Sequence, residues 1–176
     1  MLDSMEKEVL YSREAIRKRI GDLAGEIDCR YAGKELVVIG VLKGAFIFMA
    51  DLIRCLQVPC IVDFVRVASY GAGSVTSGTV TITKDIETDI LGRDVLIVED
   101  IIDTGLTLTY LVDALKKRRP ASVSVCAFID KRLRRQVPFE ADYVGFSMED
   151  GFVIGYGLDF DEKARFLPDV YVVKNL

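Results

Sequence analysis

A strand-like run that ends in three carboxylates constrains the fold more than any other feature of the chain. Residues 95–98 are uninterruptedly apolar, which is typical of a buried strand in a parallel sheet. Glu99, Asp100 and Asp103 follow, and a Thr-Gly turn then leads into a helical pattern. This order places backbone N–H groups and a helix N-terminus around an anion. Because carboxylates repel a bare phosphate, we expect a ligand that also carries hydroxyls, a metal ion or developing positive charge, as a phosphorylated sugar does.

The totals favour one folded domain. The chain has 176 residues, of which 51% are hydrophobic, so disorder is not expected. A net charge of -4 argues against general nucleic-acid binding. The most apolar stretch, residues 37–53, is interrupted by Lys43 and Asp51, and the N-terminus lacks the apolar core of a signal peptide. We therefore predict a cytoplasmic protein with no membrane span.

Two residue types limit the chemistry. The four cysteines show neither Cys-x-x-Cys nor zinc-ribbon spacing, so we expect reduced thiols rather than disulfides. Histidine is absent, which excludes histidine-based catalytic triads and histidine-ligated metal sites. Any general base must then be Asp, Glu, Lys, Tyr or Cys.

Strand-like and helix-like segments alternate along the chain. The pattern predicts strands at 35–42, 60–69, 93–102, 122–129, 143–146 and 170–173, with a weak hairpin arm at 79–83. It predicts helices at 12–31 and 45–56, and a third helix that follows the acidic strand and runs to about Arg119. Alternation of this kind indicates a parallel α/β sheet, with a small cap formed by the chain ends. Ligands of such sheets bind beyond the carboxyl ends of the strands.

Residues 99–107, Glu-Asp-Ile-Ile-Asp-Thr-Gly-Leu-Thr, resemble the phosphoribosyl-pyrophosphate (PRPP) binding motif of the type I phosphoribosyltransferases. Later motifs narrow the resemblance to the hypoxanthine(-guanine) phosphoribosyltransferases, and it covers about residues 37–173. It implies the type I phosphoribosyltransferase fold, which is α/β with a mostly parallel central sheet flanked by helices. It also implies one domain over residues 1–176, with a core at about 35–147 and a hood built from the N-terminal segment and residues 148–176.

The resemblance implies a PRPP site at the strand ends. It assigns PRPP binding to Lys43, Gly44, Glu99, Asp100, Asp103, Thr104, Gly105, Leu106, Thr107 and Arg165. A Lys-Gly pair suits a closely approached diphosphate, although a solvated lysine beside a helix start is the plain alternative. The family often has a non-proline cis peptide here, between Leu42 and Lys43. Some members carry a basic residue where this chain has Leu106, a departure we discount because the backbone does most of the phosphate binding.

The resemblance also implies a purine site and a magnesium site. Lys131 would donate to the O6 atom of a purine, Phe152 would stack on the base, Val153 would offer backbone groups to the base edge, and Asp159 would border it. Magnesium would be held by Glu99, Asp100 and Asp159. Taken alone, a phenylalanine in a strand, such as Phe152, would be expected in the core. We expect the residues next to Lys131, namely Arg132, Arg134 and Arg135, to form a solvated basic cluster.

The implied reaction belongs to purine salvage. It transfers the 5-phosphoribosyl group of PRPP to N9 of hypoxanthine, and of guanine, giving IMP or GMP and pyrophosphate. Asp103 would serve as the general acid/base at purine N7. Ser69 and Tyr70 would close over the substrates as a lid, although the Gly- and Ser-rich stretch 69–78 also suits a plain hairpin tip. Family members are usually homodimers or homotetramers.

Three alternatives remain at the level of sequence. A regulator on the same fold could bind nucleic acid and use PRPP as a signal, but the chain has no basic arm or helix-turn-helix. Within enzymes, xanthine, adenine or uracil could replace hypoxanthine, and the sequence does not rank the 6-oxopurines. A structural α/β module, with residues 93–119 as an ordinary strand and capped helix, would leave the strand-end motifs unexplained.

Overall fold

The computed structural model describes residues 6–70 and 79–174 of the chain. The strands in these ranges are β1 (Lys7–Tyr11), β2 (Leu36–Leu42), β3 (Cys60–Tyr70), β4 (Thr79–Lys84), β5 (Asp94–Ile102), β6 (Ser122–Lys131), β7 (Tyr143–Met148), β8 (Phe152–Ile154) and β9 (Val170–Val173). The helices are α1 (Arg13–Arg30), α2 (Phe46–Cys55) and α3 (Leu106–Lys116). None of these helices is long and apolar enough to span a membrane.

The central sheet has six strands in the order β4-β3-β2-β5-β6-β7. All neighbours in it pair in parallel except β3 and β4, which are antiparallel. This confirms the predicted α/β class with a mostly parallel sheet. Because β2, β5 and β6 run in the same direction, their carboxyl ends meet at one edge, and the residues that follow them can form a single site.

Both faces of the central sheet are buried, which explains the uninterrupted apolar runs of its strands. In β5, Leu96 and Val98 face a core that includes buried residues of α1 and α2. The alternate residues Val95 and Ile97 face a second core that includes the buried leucines of α3. The two-residue period of a strand therefore divides one apolar run between two cores.

A second sheet has three strands in the order β1-β9-β8, and both pairings are antiparallel. Lys7 lies opposite Val173, and Phe152 lies opposite the same valine from the other side. The sequence pattern predicted a cap from the chain ends and the strand β9, but it did not predict β1. That segment has exposed residues at its centre, so no hydrophobic alternation marks it.

The helix boundaries follow local signals. Ser12 caps α1 by accepting a hydrogen bond from the Ala15 N–H at 3.3 Å. α3 ends at Lys116, three residues before the expected Arg119. Arg119 adopts a left-handed φ of 56° and precedes Pro120, which disfavours a helical conformation at that position. The four cysteines are free thiols.

Candidate active site

The loop after β2 lies directly against the end of β5. A Cβ atom built on Gly44 would lie 1.5 Å from Asp100 Oδ2, so no side chain fits there while Asp100 keeps its position. Gly157, at a left-handed φ of 97°, also lies against Gly44, because a Cβ atom built on it would lie 2.2 Å from the Gly44 carbonyl oxygen. The peptide bond between Leu42 and Lys43 is cis, as expected. Three distant segments thus converge through two glycines.

Glu99, which is buried, and Asp100, which is half-buried, form a pair of adjacent carboxyl groups. Burial and the charge of Asp100 raise the pKa of Glu99 well above its usual range, and burial raises the pKa of Asp100. The Asp100 N–H donates to Glu99 Oε1 at 3.2 Å, and the Ile101 N–H donates to Asp100 Oδ1 at 2.8 Å. Negative charge is therefore costly at this strand end, and a bound cation or hydroxyl donor would offset that cost.

A small pocket of about 140 Å³ lies between the end of β5 and the start of α3. Its lining consists of Glu99, Ile101, Ile102, Asp103, Thr104, Gly105, Thr107 and Leu108. Gly105 caps the helix with a left-handed φ of 83°, and the Leu106 N–H lies 3.4 Å from Thr104 Oγ1. Backbone N–H groups at this helix N-terminus and the two threonine hydroxyls provide donors for an anion such as a phosphate.

Asp103 stands at the edge of this pocket with its two carboxylate oxygens in different surroundings. Oδ2 pairs with the Arg134 guanidinium at 3.2 Å. Oδ1 is buried and has no hydrogen-bond partner among the residues that the structure describes. Because a buried acceptor without a donor is unfavourable, Oδ1 is available to a donor on a ligand.

The predicted solvated arginine cluster is wrong for Arg135. Its side chain is 15% exposed, whereas those of Arg132 and Arg134 are 63% and 60% exposed. The Arg135 guanidinium donates to the Asp103 carbonyl at 3.2 Å, the Lys131 carbonyl at 3.3 Å, the Phe139 carbonyl and the Asp130 carboxylate. It therefore ties the end of β5 to the end of β6, and Arg134 pairs with Asp103 rather than with water alone.

The residues assigned to the purine lie at the end of β6 and in β8. Lys131 is 7% exposed, and its ammonium group donates to the Gly151 carbonyl at 2.5 Å. Phe152 is 39% exposed and meets Phe160 edge-on with ring centroids 5.6 Å apart, so the core position that its apolar context predicted is wrong. Val153 is buried, and its position in β8 is paired with Val172 of β9. An exposed ring beside a buried lysine can contact a flat heterocycle.

A turn in residues 159–165 brings charged side chains to the loop after β2. Arg165 pairs with Asp159 at 2.7 Å and donates to the Gly157 carbonyl at 2.7 Å. Lys43 pairs with Glu162 at 2.7 Å. Glu162 was not singled out from the sequence, because no spacing or residue type distinguishes it from other surface charges, and Arg134 and Arg135 were predicted only as part of a solvated cluster.

Part of the predicted site lies outside the described residues. These parts are the segment 71–78 and the side chains of Ser69 and Tyr70, which were assigned to the lid. The strands β3 and β4, which pair antiparallel, precede and follow this segment. Within residues 6–70 and 79–174, no three carboxylate or cysteine side chains are grouped so that they could hold a metal ion. The Glu99–Asp100 pair nevertheless suits Mg²⁺, which prefers few protein oxygens together with water and substrate phosphates.

Comparison with known proteins agrees with this geometry. Residues 7–161 match the phosphoribosyl transferase domain family. A hypoxanthine-guanine phosphoribosyltransferase of Aquifex aeolicus is 48% identical over 95% of this chain and 94% of its own length. The corresponding Bacillus subtilis protein is 46% identical over 96% of this chain and 93% of its own.

Solved structures give the same result. A hypoxanthine-guanine phosphoribosyltransferase from Bacillus anthracis superimposes with a TM-score of 0.90 and 41% identity, covering 97% of this chain and 99% of the other. A hypoxanthine phosphoribosyltransferase from Staphylococcus aureus gives a TM-score of 0.93 and 40% identity, covering 99% and 94%. The chain therefore belongs to the phosphoribosyltransferase family and, within it, to the hypoxanthine-guanine phosphoribosyltransferases.

Proposed function

We propose that this protein transfers the 5-phosphoribosyl group of PRPP to N9 of hypoxanthine and guanine, forming IMP or GMP and releasing pyrophosphate. The observation that carries the proposal is the buried Oδ1 atom of Asp103, which lies beside a pocket suited to a phosphate and has no hydrogen-bond partner within residues 6–70 and 79–174. An acceptor in that position is ready to receive a proton from a bound base. The purine salvage role follows from the reaction and from the names of the relatives.

Asp103 is the proposed general acid/base. In the forward reaction a bond forms between purine N9 and C1 of the ribose, while the bond from C1 to the diphosphate oxygen breaks with its electron pair. The base then loses the proton on N7, and Asp103 Oδ1 accepts it. Thr104, Gly105, Leu106 and Thr107 hold the 5-phosphate with their backbone N–H groups and the two threonine hydroxyls.

Glu99 and Asp100 face the ribose in this proposal. Their carboxylates accept hydrogen bonds from the 2- and 3-hydroxyls, directly or through the ligand shell of a metal ion. Their negative charge also stabilises the positive charge that develops on the sugar in an oxocarbenium-like transition state. Mg²⁺, when bound with PRPP, supplies charge neutralisation for the diphosphate. Glu99 and Asp100 would hold it at the end of β5, and the family resemblance adds Asp159, which pairs with Arg165 in this structure.

The leaving pyrophosphate is held by Lys43, Gly44 and Arg165. The absence of a side chain at Gly44 supports this assignment, because it lets the backbone of the loop after β2 lie directly against the end of β5. Lys43 and Arg165 bring two positive charges from segments far apart in sequence. These charges stabilise the negative charge that accumulates on the leaving group.

Lys131, Phe152, Val153 and Asp159 bind the base. The Lys131 ammonium group donates to the purine O6, which favours a 6-oxopurine over adenine, whose amino group offers no acceptor there. The partly exposed ring of Phe152 stacks on the base. Val153 contributes backbone groups to the base edge, and Asp159 borders the base site.

We infer further that Ser69 and Tyr70 belong to a lid that excludes water, which would otherwise compete with the base as a nucleophile. We also propose one domain over residues 1–176, an assembly into homodimers or homotetramers, and a location in the cytoplasm. No nucleic acid or membrane partner is proposed, in keeping with the net charge of -4. Light scattering would determine the assembly.

The test is a spectrophotometric assay with PRPP, Mg²⁺ and each of hypoxanthine, guanine, xanthine, adenine and uracil. We expect nucleotide formation from hypoxanthine and guanine, and loss of it when Mg²⁺ is omitted. Asp103→Asn should lower kcat by at least about tenfold while the KM for PRPP stays within about twofold, since proton-transfer catalysis contributes roughly a hundredfold or more.

Two outcomes would contradict the proposal. An unchanged kcat in Asp103→Asn would remove this residue from the chemistry. If folded protein that still binds PRPP formed no nucleotide with any of the five bases, a PRPP-binding regulator would be favoured instead. A salt-dependent shift in the electrophoretic mobility of nucleic acid would then identify its partner.

A further inference from the structure

One carboxylate occupies the position between the two cations assigned to pyrophosphate. Glu162 Oε2 lies 2.7 Å from Lys43 Nζ and 3.5 Å from Arg165 Nη2. The two cations come from the loop after β2 and from the turn before β9, and the same oxygen atom contacts both. A glutamate side chain at the surface is ionised at neutral pH, so Glu162 presents a negative charge to both cations.

The turn that carries Glu162 is built so that its side chain meets these cations. Asp161 and Glu162 both adopt left-handed backbone conformations, with φ of 52° and 62°, which are unusual for residues other than glycine. The Glu162 N–H donates to Asp159 Oδ2 at 2.9 Å, and Arg165 holds the other oxygen of Asp159 at 2.7 Å. Glu162 itself is 64% exposed in its side chain, so packing does not account for its position.

We propose that Glu162 is an internal competitor of pyrophosphate. Its carboxylate holds Lys43 and Arg165 while the site contains no diphosphate, and the diphosphate of PRPP or the product pyrophosphate displaces it. The inference rests on the proposed function for the identity of the anion. Its consequence is that part of the affinity for pyrophosphate is cancelled by the contacts that binding must break, which favours product release.

The balance of charge makes such displacement possible. A single exposed ion pair contributes little, because water screens it and both side chains lose freedom. Pyrophosphate carries several negative charges and can contact both cations at once, so it outcompetes one carboxylate. A variant without the carboxylate should then bind magnesium pyrophosphate about twofold to fivefold more tightly, the range that exposed ion pairs give.

The experiment compares Glu162→Gln with Asp161→Asn. Asp161 is the matched control because it is the next residue, has the same unusual backbone conformation, and loses the same charge, but pairs with Lys163 at 3.5 Å. Calorimetric titration of the whole protein with magnesium pyrophosphate gives the dissociation constants. Inhibition of nucleotide formation by pyrophosphate gives a second value.

We expect tighter binding and stronger inhibition in Glu162→Gln, and values within about 1.5-fold of the unmodified protein in Asp161→Asn, whose lost charge lies farther from the pyrophosphate cations. The gain in Glu162→Gln should shrink as salt is raised, because screening weakens the ion pair that it removes. Equal effects of the two substitutions would overturn the proposal, since net charge alone would then explain them. Weaker binding in Glu162→Gln, or no binding of pyrophosphate by any of the three proteins, would overturn it as well.

The titration separates this proposal from the function on which it rests. If the unmodified protein forms no nucleotide but Glu162→Gln binds pyrophosphate more tightly than Asp161→Asn, the proposed function fails while the competitor role stands. If nucleotide forms and the two variants behave alike, the function stands and the competitor role fails.

Discussion

Replacing Arg135 with methionine removes a buried guanidinium while keeping most of the length of its apolar stem. The side chain is 15% exposed and joins four acceptors, among them the carboxylate of Asp130, which is 1% exposed. Arg132 contacts the same carboxylate through Nε at 3.1 Å but is 63% exposed. Substitutions of the two arginines can therefore be compared directly, because both side chains contact the Asp130 carboxylate and they differ in how deeply they are buried.

The expected cost follows from these contacts. Removing one partner of a buried ion pair destabilises a protein by about 3–5 kcal/mol, and each buried acceptor left without a donor costs about 1–3 kcal/mol. Arg132 still holds Asp130, and water can reach part of the vacated space, so we expect Arg135→Met to lower the free energy of unfolding by about 3 kcal/mol. Arg132→Met should lower it by less than about 1 kcal/mol, as exposed pairs do.

Urea unfolding followed by circular dichroism and by tyrosine fluorescence measures both values, and agreement of the two probes supports a two-state analysis. The same substitutions in an Asp130→Asn background complete a double-mutant cycle. If Arg135→Met costs no more than Arg132→Met, or if its cost is unchanged when the charge of Asp130 is removed, the assignment of Arg135 as a buried connection between β5 and β6 is refuted.

Three further predictions concern the site itself. The pKa of Glu99 is raised in the folded state, so its protonated carboxyl stabilises the fold below the unfolded pKa of about 4.3, and this contribution is lost as pH rises through the folded pKa. Glu99→Gln, which cannot ionise, should therefore melt at a higher temperature than the unmodified protein at pH 8. A lower melting temperature at that pH would contradict this. Gly44→Ala places a Cβ 1.5 Å from Asp100 Oδ2, so kcat/KM for PRPP in steady-state kinetics should fall at least tenfold, a loss of about 1.4 kcal/mol or more in transition-state stabilisation. A value of kcat/KM equal to that of the unmodified protein would disprove the contact. Phe152→Leu should raise the KM for hypoxanthine about fivefold, leaving the KM for PRPP and the melting temperature unchanged, because the ring is partly exposed; equal changes in both KM values would argue against stacking.

The central sheet and the strand-end carboxylates were predictable because their signals are local. The two-faced burial of β2 and β5 leaves an uninterrupted apolar run in the sequence, and the polar residues that follow must emerge at one edge. The sequence alone therefore locates the pair Glu99 and Asp100 and the turn at Gly105.

The parts that could not be predicted depend on distant partners. The strand β1 has an exposed centre, and it is a strand because β9 supplies its hydrogen bonds. Arg134 and Arg135 are adjacent and identical in type, yet they differ in burial because carbonyl groups of Asp103 and Lys131 surround one of them. Glu162 likewise acquires its contacts from Lys43, far away in sequence.

The strand order β1-β9-β8 has a consequence for synthesis of the chain. β9 leaves the ribosome after every other described strand, so until then β1 has no strand to pair with, and neither does β8 with its Phe152. A nascent chain that has completed β2 to β7 can already arrange the pocket around Asp103, whose elements are all present. The strand that carries Phe152 and Val153 therefore gains its partner last, and the pairing of β1 with β9 joins the two described strands that lie farthest apart in sequence.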